Sequence, residues 1–374
     1  MNAYVWGVGT SMFAKQPELS TRELAWTAVM EALRDAEVDS VDAVYVGSCY
    51  GEAGVAQRAL VGLGLNRIPI LEFENACASS TTAYHEAVAA VQTGRYGSVL
   101  ALGIEHLTSR FAGAIPLEPR DAEGRGGLAF PALYAMAAAR YMAVYGVTPE
   151  QLAQVSVKNH QHGTGNPRAQ HGRAVTLEQV LASPMVADPL TLFQCCAITD
   201  AGAAAVIGGS KRGPRDVAVR ASAFSTGGLW DHETDHVWGF GLARDTAARA
   251  YEISGLGPED IDLFEVHDAF TIGEIVTTEA LGLAKEGDGV SLVMDGHSWI
   301  GGRQPVNPSG GLLSRGHPLG ATGVAQVVEV VWQLRGDAGA RQVQGARTGL
   351  VETLGGGVSG LDGNACVVSI LSRG

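Results

Sequence analysis

Apolar positions along the chain repeat with two periods, and the two periods alternate. Short runs rich in Val, Ile, Leu and Ala at 3–9 (AYVWGVG), 41–48 (VDAVYVGS) and 98–106 (SVLALGIEH) predict strands. Between them, 21–36 (TRELAWTAVMEALRDA) and 79–94 (SSTTAYHEAVAAVQTG) carry apolar residues at helical spacing. Ser20 or Thr21 suits the cap of the first helix, and Gly94 the end of the second. The same order then recurs. Strand patterns fall at 216–224 (DVAVRASAF), 260–270 (DIDLFEVHDAF) and 348–357 (TGLVETLGGG), with helical patterns at 243–256 and 321–336 between them. The run GAAAVIGG at 202–209 has its counterpart in NACVVSIL at 364–371. The closest internal match is 37–52 against 257–274, each an acidic turn, a strand and a polar loop.

Two βα-rich halves in the same order predict a duplicated α/β architecture, with halves at 1–212 and 213–374. The stretch from about 111 to 190 breaks the repeat and reads as an insertion positioned to cover a site. It includes a helical run at 131–146 and a segment, 156–173, that gathers His160, His162, His171, Lys158, Arg168 and Arg173. No carboxylate or thiol accompanies those histidines at metal-like spacing. The segment therefore reads as a solvated polar turn or a patch for an anionic ligand.

Composition narrows the function classes. The formal net charge of −13 argues against nucleic-acid binding that rests on neutralising phosphates. Five cysteines, at 49, 77, 195, 196 and 366, form no CxxC pair, so reduced thiols in a cytoplasmic protein are expected. No signal-like N-terminus and no apolar run long enough to span a bilayer is found, so no membrane role is expected. The 50 glycines are spread along the chain and imply close backbone packing rather than a linker.

Three segments carry candidate chemistry. In ENACASSTTAYHEA (74–87), Cys77 precedes a helix start, where free N–H groups and the helix dipole favour a thiolate. On its own, a buried structural cysteine is the commoner reading of such a residue. In NPSGGLLSRGHPLGATG (307–323), His317 sits in a glycine-rich loop that brings backbone close to a partner or ligand. In EVHDAF (265–270), His267 ends a strand where α/β proteins place functional loops. A fourth stretch, ETLGGGVSG, offers consecutive backbone N–H groups able to stabilise an oxyanion. Cys195 and Cys196 read as packing at a strand start, Asp200 as ordering that turn, and Tyr84, His85 and His106 as core or interface residues.

The order NACASS, HDAF, NPSGGLLSRGHPLGATG, GGG resembles the thiolase superfamily over essentially the whole chain. It is similar in particular to the archaeal-type acetyl-CoA acetyltransferases and the sterol-carrier-type thiolases. The resemblance implies a five-layered α/β/α/β/α fold. It also implies a coenzyme A thioester as substrate with no bound cofactor or metal, and carbon–carbon bond making or breaking through an acyl-Cys77 intermediate. In such enzymes the residue matched by His317 accepts the nucleophile's proton and the residue matched by His267 helps bind the thioester oxygen. The N–H groups of Cys77 and Gly355 would form an oxyanion hole, and His267 with His317 a second one. The resemblance further implies a homodimer or tetramer and, for this group, a small OB-fold zinc-ribbon (DUF35) partner.

One departure stands out. Thr353 occupies the place of the second cysteine that serves as α-carbon base in common thiolases, Cys366 lies too far along to replace it, and HDAF lacks the cysteine of sterol-carrier-type HDCF. Three other readings therefore stand beside the acyltransferase: a retro-aldolase acting on a steroid-type acyl-CoA, a decarboxylative ketosynthase-like condensation, and a non-catalytic acyl-CoA-binding scaffold.

Overall fold

The computed structural model describes residues 2–230 and 237–373. Nine strands form one continuous sheet: β1 (Ala3–Thr10), β2 (Ala43–Gly47), β3 (Ile70–Phe73), β4 (Ser98–His106), β5 (Asp200–Gly208), β6 (Val217–Ser225), β7 (Leu263–Glu265), β8 (Thr348–Gly355) and β9 (Ala365–Arg373). Their spatial order is β3-β2-β4-β5-β1-β6-β9-β8-β7. The helices that matter here are α1 (Thr21–Asp35), α2 (Ser79–Gln92), α3 (Phe130–Tyr145), α4 (Pro149–Gly163), α5 (Phe240–Ser254), α6 (Thr271–Ala280) and α7 (Thr322–Arg335).

The sheet shows the duplication directly. In the first half β1 runs antiparallel to β5, β5 antiparallel to β4, and β4 parallel to β2. In the second half β6 runs antiparallel to β9, β9 antiparallel to β8, and β8 parallel to β7. The halves join where β1 pairs with β6, with Ala3 opposite Val219. Among the described residues, only the first half carries a further edge strand, β3, parallel to β2.

Five layers follow from which faces are apolar. Both faces of each central strand are buried, so alternate residues feed different cores. Ala101, Ala203, Ala205 and Ile207 pack inward with Tyr84 and Val88 of α2 and Val324, Val327 and Val331 of α7. Leu100, Leu102, Ala204 and Val206 face the other way, onto Ala25, Ala28 and Ala32 of α1. On the far side, Ala221, Ala223, Val368 and Ile370 meet Ala243, Ala247 and Ala250 of α5. Helices α2 and α7 thus form a central layer between the two half-sheets, with α1 and α5 outside.

The expected helix caps are present: Ser20 caps α1 in a capping box with Glu23, and Gly94, at φ 74°, follows α2. The segment 156–173 departs from its reading as a solvated patch. Its first part lies in α4, where Lys158, His160 and His162 are buried. The Lys158 ammonium pairs with Glu274 of α6 at 2.6 Å and donates to the Val306 carbonyl at 2.9 Å. His162 accepts from the Ile300 N–H at 3.0 Å and meets the Asn307 carbonyl at 3.0 Å. Polar side chains in this helix are spent inside the protein, because the helix must satisfy the irregular loop it packs against.

Candidate active site

Cys77 sits on a tight turn between β3 and α2. The Ala78 N–H donates to the Asn75 carbonyl at 3.0 Å, and the Ser79 N–H to the Ala76 carbonyl at 3.1 Å. The Asn75 N–H is held by the Ser79 hydroxyl at 3.0 Å. Ala76 adopts φ 50°, a conformation that costs a non-glycine residue about 1–2 kcal/mol. The turn holds that strain and presents the thiol at the start of α2. Gly355, at the end of β8, abuts this turn: a Cβ there would lie 2.1 Å from the Asn75 oxygen and 3.0 Å from the Ala78 nitrogen. Only glycine lets the strand end approach the Cys77 turn so closely.

His317 projects from the loop before α7. Its N–H donates to the Thr199 hydroxyl at 3.0 Å. Its Nδ1 lies 2.7 Å from the Thr322 hydroxyl, which itself donates to the Pro318 carbonyl at 3.2 Å. With its one proton spent on Pro318, that hydroxyl must accept from Nδ1–H, which leaves Nε2 as the free base. His267 follows β7, and its N–H donates to the Glu352 carboxylate at 2.9 Å. Its Nδ1 is buried without a hydrogen-bond partner among the described residues. The two imidazoles meet edge to face with centroids 5.0 Å apart. One ligand atom each of Cys77, His267 and His317 lies within 4.8 Å of the others.

Electrostatics correct the expectation of a thiolate. Burial pushes the Cys77 thiol up to about 12, and the Glu105 carboxylate adds to the effect. Burial also holds His267 down at about 3, with Arg315 adding. His317 is pushed well below the ordinary imidazole value by burial, then by His267 and Arg315. Desolvation outweighs the helix start, so the resting trio is a neutral thiol and two neutral imidazoles. Such a set moves a proton between sulfur and nitrogen without placing a net charge in a buried site. The same three atoms are a donor set that zinc accepts elsewhere, but no fourth protein ligand joins them among the described residues.

The trio opens onto a cavity of about 360 Å³. Phe130 and Tyr134 of α3, Trp238, Phe270 and Leu319 make its wall largely apolar. A smaller chamber of about 40 Å³ adjoins it, sharing Tyr134, Trp238, His267 and Leu354. Tyr134 stacks on Phe270 with centroids 4.4 Å apart.

Thr353 does not reach this cavity: its hydroxyl is 2.6 Å from the Gln326 side-chain oxygen on α7. Cys366 points at Glu352, 3.8 Å away. Cys195 and Cys196, read as strand packing, instead line the cavity. Asp200 does order its turn, accepting from the Thr108 and Gln16 N–H groups at 2.9 and 2.8 Å. Behind the histidines lies a buried polar network that sequence reasoning missed. Asp268 accepts from Asn159 and from the Leu312 N–H, each at 2.7 Å. Glu274 accepts from Asn159 at 2.8 Å and Asn307 at 3.0 Å. Glu265 accepts from the Ser309 N–H at 3.0 Å and pairs with Arg315 at 3.2 Å. These bonds tie α4, α6 and both histidine loops into one unit. The one available signal was chemical: Glu274 is a charged residue inside the largely apolar run at 269–276.

Residues 7–210 match the family model for the thiolase N-terminal domain, and 226–372 the one described as thiolase C-terminal domain-like. The chain is 42% identical to the acetyl-CoA acetyltransferase of Methanothermobacter thermautotrophicus over 386 residues, 98% of each. It is 37% identical to sterol carrier protein 2 of Rattus norvegicus over 398 residues, 99% of this chain and 72% of that one. Among solved structures it resembles the Ltp2-ChsH2(DUF35) aldolase, with a TM-score of 0.82 and 26% identity over 100% of this chain and 98% of that one.

Proposed function

Because the chain belongs to the thiolase family, we propose that it is an acyltransferase that makes or cleaves the carbon–carbon bond of a β-ketoacyl-CoA through an acyl-Cys77 intermediate. The observation that carries this reading is the thiol flanked by two neutral imidazoles within 4.8 Å on the wall of an apolar cavity. A binding scaffold has no use for that arrangement.

In cleavage, His317 Nε2 takes the Cys77 proton as the sulfur attacks the ketone carbon. The developing oxyanion falls to the N–H groups of Cys77 and Gly355. The thioester oxygen of the departing half falls to His267 and the imidazolium of His317, which stabilise the enolate formed when the bond breaks. Coenzyme A then takes the acyl group from Cys77. No resident cofactor enters these steps. The reading extends to a homodimer or tetramer in the cytoplasm, working with a small OB-fold zinc-ribbon partner. The naming of DUF35 in the similar aldolase supports the partner. No helix among the described residues is long and apolar enough to cross a membrane.

That structural similarity, with Thr353 turned away from the cavity, also keeps an aldolase reading in play. Intact-protein mass spectrometry after incubation with acetyl-CoA and longer acyl-CoAs separates the two. The acyltransferase gains one acyl mass, and Cys77→Ala does not. No adduct from any donor, with a candidate partner protein present, would favour the aldolase, which needs no free coenzyme A.

A further inference from the structure

The steps above leave one proton without a carrier. When the bond breaks, the electron pair goes to the α-carbon, which must gain a proton; in the reverse direction that carbon must lose one. His317 already holds the Cys77 proton. Thr353 and Cys366 face away from the cavity.

The segment from Cys195 to Ile198 is built into the site from both sides. The Cys196 N–H donates to the Ala269 carbonyl at 2.8 Å, beside His267, and Cys195 pairs with Phe270. Ile198 pairs with His317. The stretch thus spans the gap between the two histidine loops and presents its side chains to the cavity. Cys195 spends its S–H on the Thr191 carbonyl at 3.4 Å. The Cys196 thiol has no hydrogen bond among the described residues, lines the same cavity as Cys77, and stands outside the trio gathered within 4.8 Å. A group placed there shares the cavity with Cys77 without belonging to the trio that handles the Cys77 proton.

We propose that Cys196 is the catalytic acid and base at the α-carbon, a second active-site thiol contributed by the strand-start segment; the inference rests on the acyl-Cys77 reading. In cleavage the Cys77–acyl bond forms and the carbon–carbon bond breaks. The Cys196 S–H gives its proton to the α-carbon and becomes a thiolate. The incoming coenzyme A thiol returns a proton to Cys196 as its sulfur takes the acyl group, and Cys77 recovers its own proton from His317. All atoms and charges balance. Burial raises the Cys196 thiol well above its ordinary range, so it rests protonated, as a donor to carbon requires. The competing donor on the wall is the phenol of Tyr134, which burial raises as well.

The test uses the full-length protein, with any partner it needs, and three readouts: the acyl-Cys77 adduct by mass, thiolysis of a β-ketoacyl-CoA, and deuterium incorporation at the acetyl-CoA α-carbon in D₂O. Cys196→Ala is expected to acylate like the parent, which shows it is folded. Thiolysis and deuterium incorporation should each fall about 100-fold or more, the usual worth of a positioned acid or base. Cys196→Ser should do the same, because a hydroxyl is too weak an acid. Tyr134→Phe should lose far less deuterium incorporation than Cys196→Ala does. Thiolysis within threefold of the parent in Cys196→Ala overturns the assignment, and so does loss of acylation alongside cleavage, which marks a structural role. A parent that forms no adduct sinks the acyl-Cys77 reading itself, and this inference with it.

Discussion

Lys158→Met tests the claim that the polar network behind the histidines is held by a buried ion pair. Methionine keeps the length of the side chain and its helix propensity, so the change isolates the charge. Both partners are buried, the pair is 2.6 Å long, and Lys158 also holds the Val306 carbonyl. Removing one member leaves the Glu274 carboxylate uncompensated in a low-dielectric site, which costs about 3–5 kcal/mol. Asn159 and Asn307 still donate to Glu274, so the lower end of that range is expected. Urea denaturation followed by circular dichroism reads the loss. Lys158→Met with Glu274→Gln should recover more than half of the loss, because the charge is gone and an acceptor for the asparagines remains. A single-variant loss below about 1 kcal/mol, or a double variant no better than the single, would refute the reasoning.

Two further outcomes follow from the site. Thr322→Val removes the acceptor that holds His317 Nδ1–H, so the tautomer with Nε2 as base loses its support. The rate of Cys77 acylation should fall about 10- to 100-fold at saturating acyl-CoA with KM nearly unchanged, and Thr322→Ser should restore it; an unchanged rate in Thr322→Val counts against the tautomer assignment. Burial raises the Glu352 carboxyl from 4.5 to about 7. A carboxyl raised on folding stabilises the fold while protonated, and that contribution drains away as pH rises from about 4.5 through 7, by about 3 kcal/mol at most. The melting temperature of Glu352→Gln should accordingly vary less between pH 5 and 8 than that of the parent, and an equal dependence would show that Glu352 titrates normally.

Much of the fold was legible because its causes are local. Strand and helix periods at 3–9, 21–36 and 98–106 were set by residues adjacent in sequence, and Ser20 and Gly94 mark helix ends by their own chemistry. The duplication was visible as a repeated order of such patterns, and the sheet pairings reproduce it strand by strand. The insertion was harder. The segment 156–173 looks solvated by composition, yet Lys158, His160 and His162 are buried because Glu274, Ser156, Asn307 and Ile300 arrive from elsewhere, or from the previous turn, to satisfy them.

At the site, the motifs around Cys77, His267 and His317 singled out three residues whose side chains the fold then gathers within 4.8 Å. Their protonation was not readable. A cysteine before a helix suggests a thiolate, and only the enclosure of that turn by the Gly355 strand end and the Glu105 carboxylate reverses it. Cys196 looked like strand packing because its neighbours in sequence are apolar, whereas its neighbours in space are Ala269 and the histidine loops. The sequence by itself determined the order of the elements, their repeated α/β pattern and Cys77 as the candidate nucleophile, since these rest on periodicity and short-range motifs. The tertiary structure alone decided which groups are desolvated, which imidazole nitrogen is free and which second thiol faces the cavity. Burial and through-space contact depend on chain segments that only folding brings together.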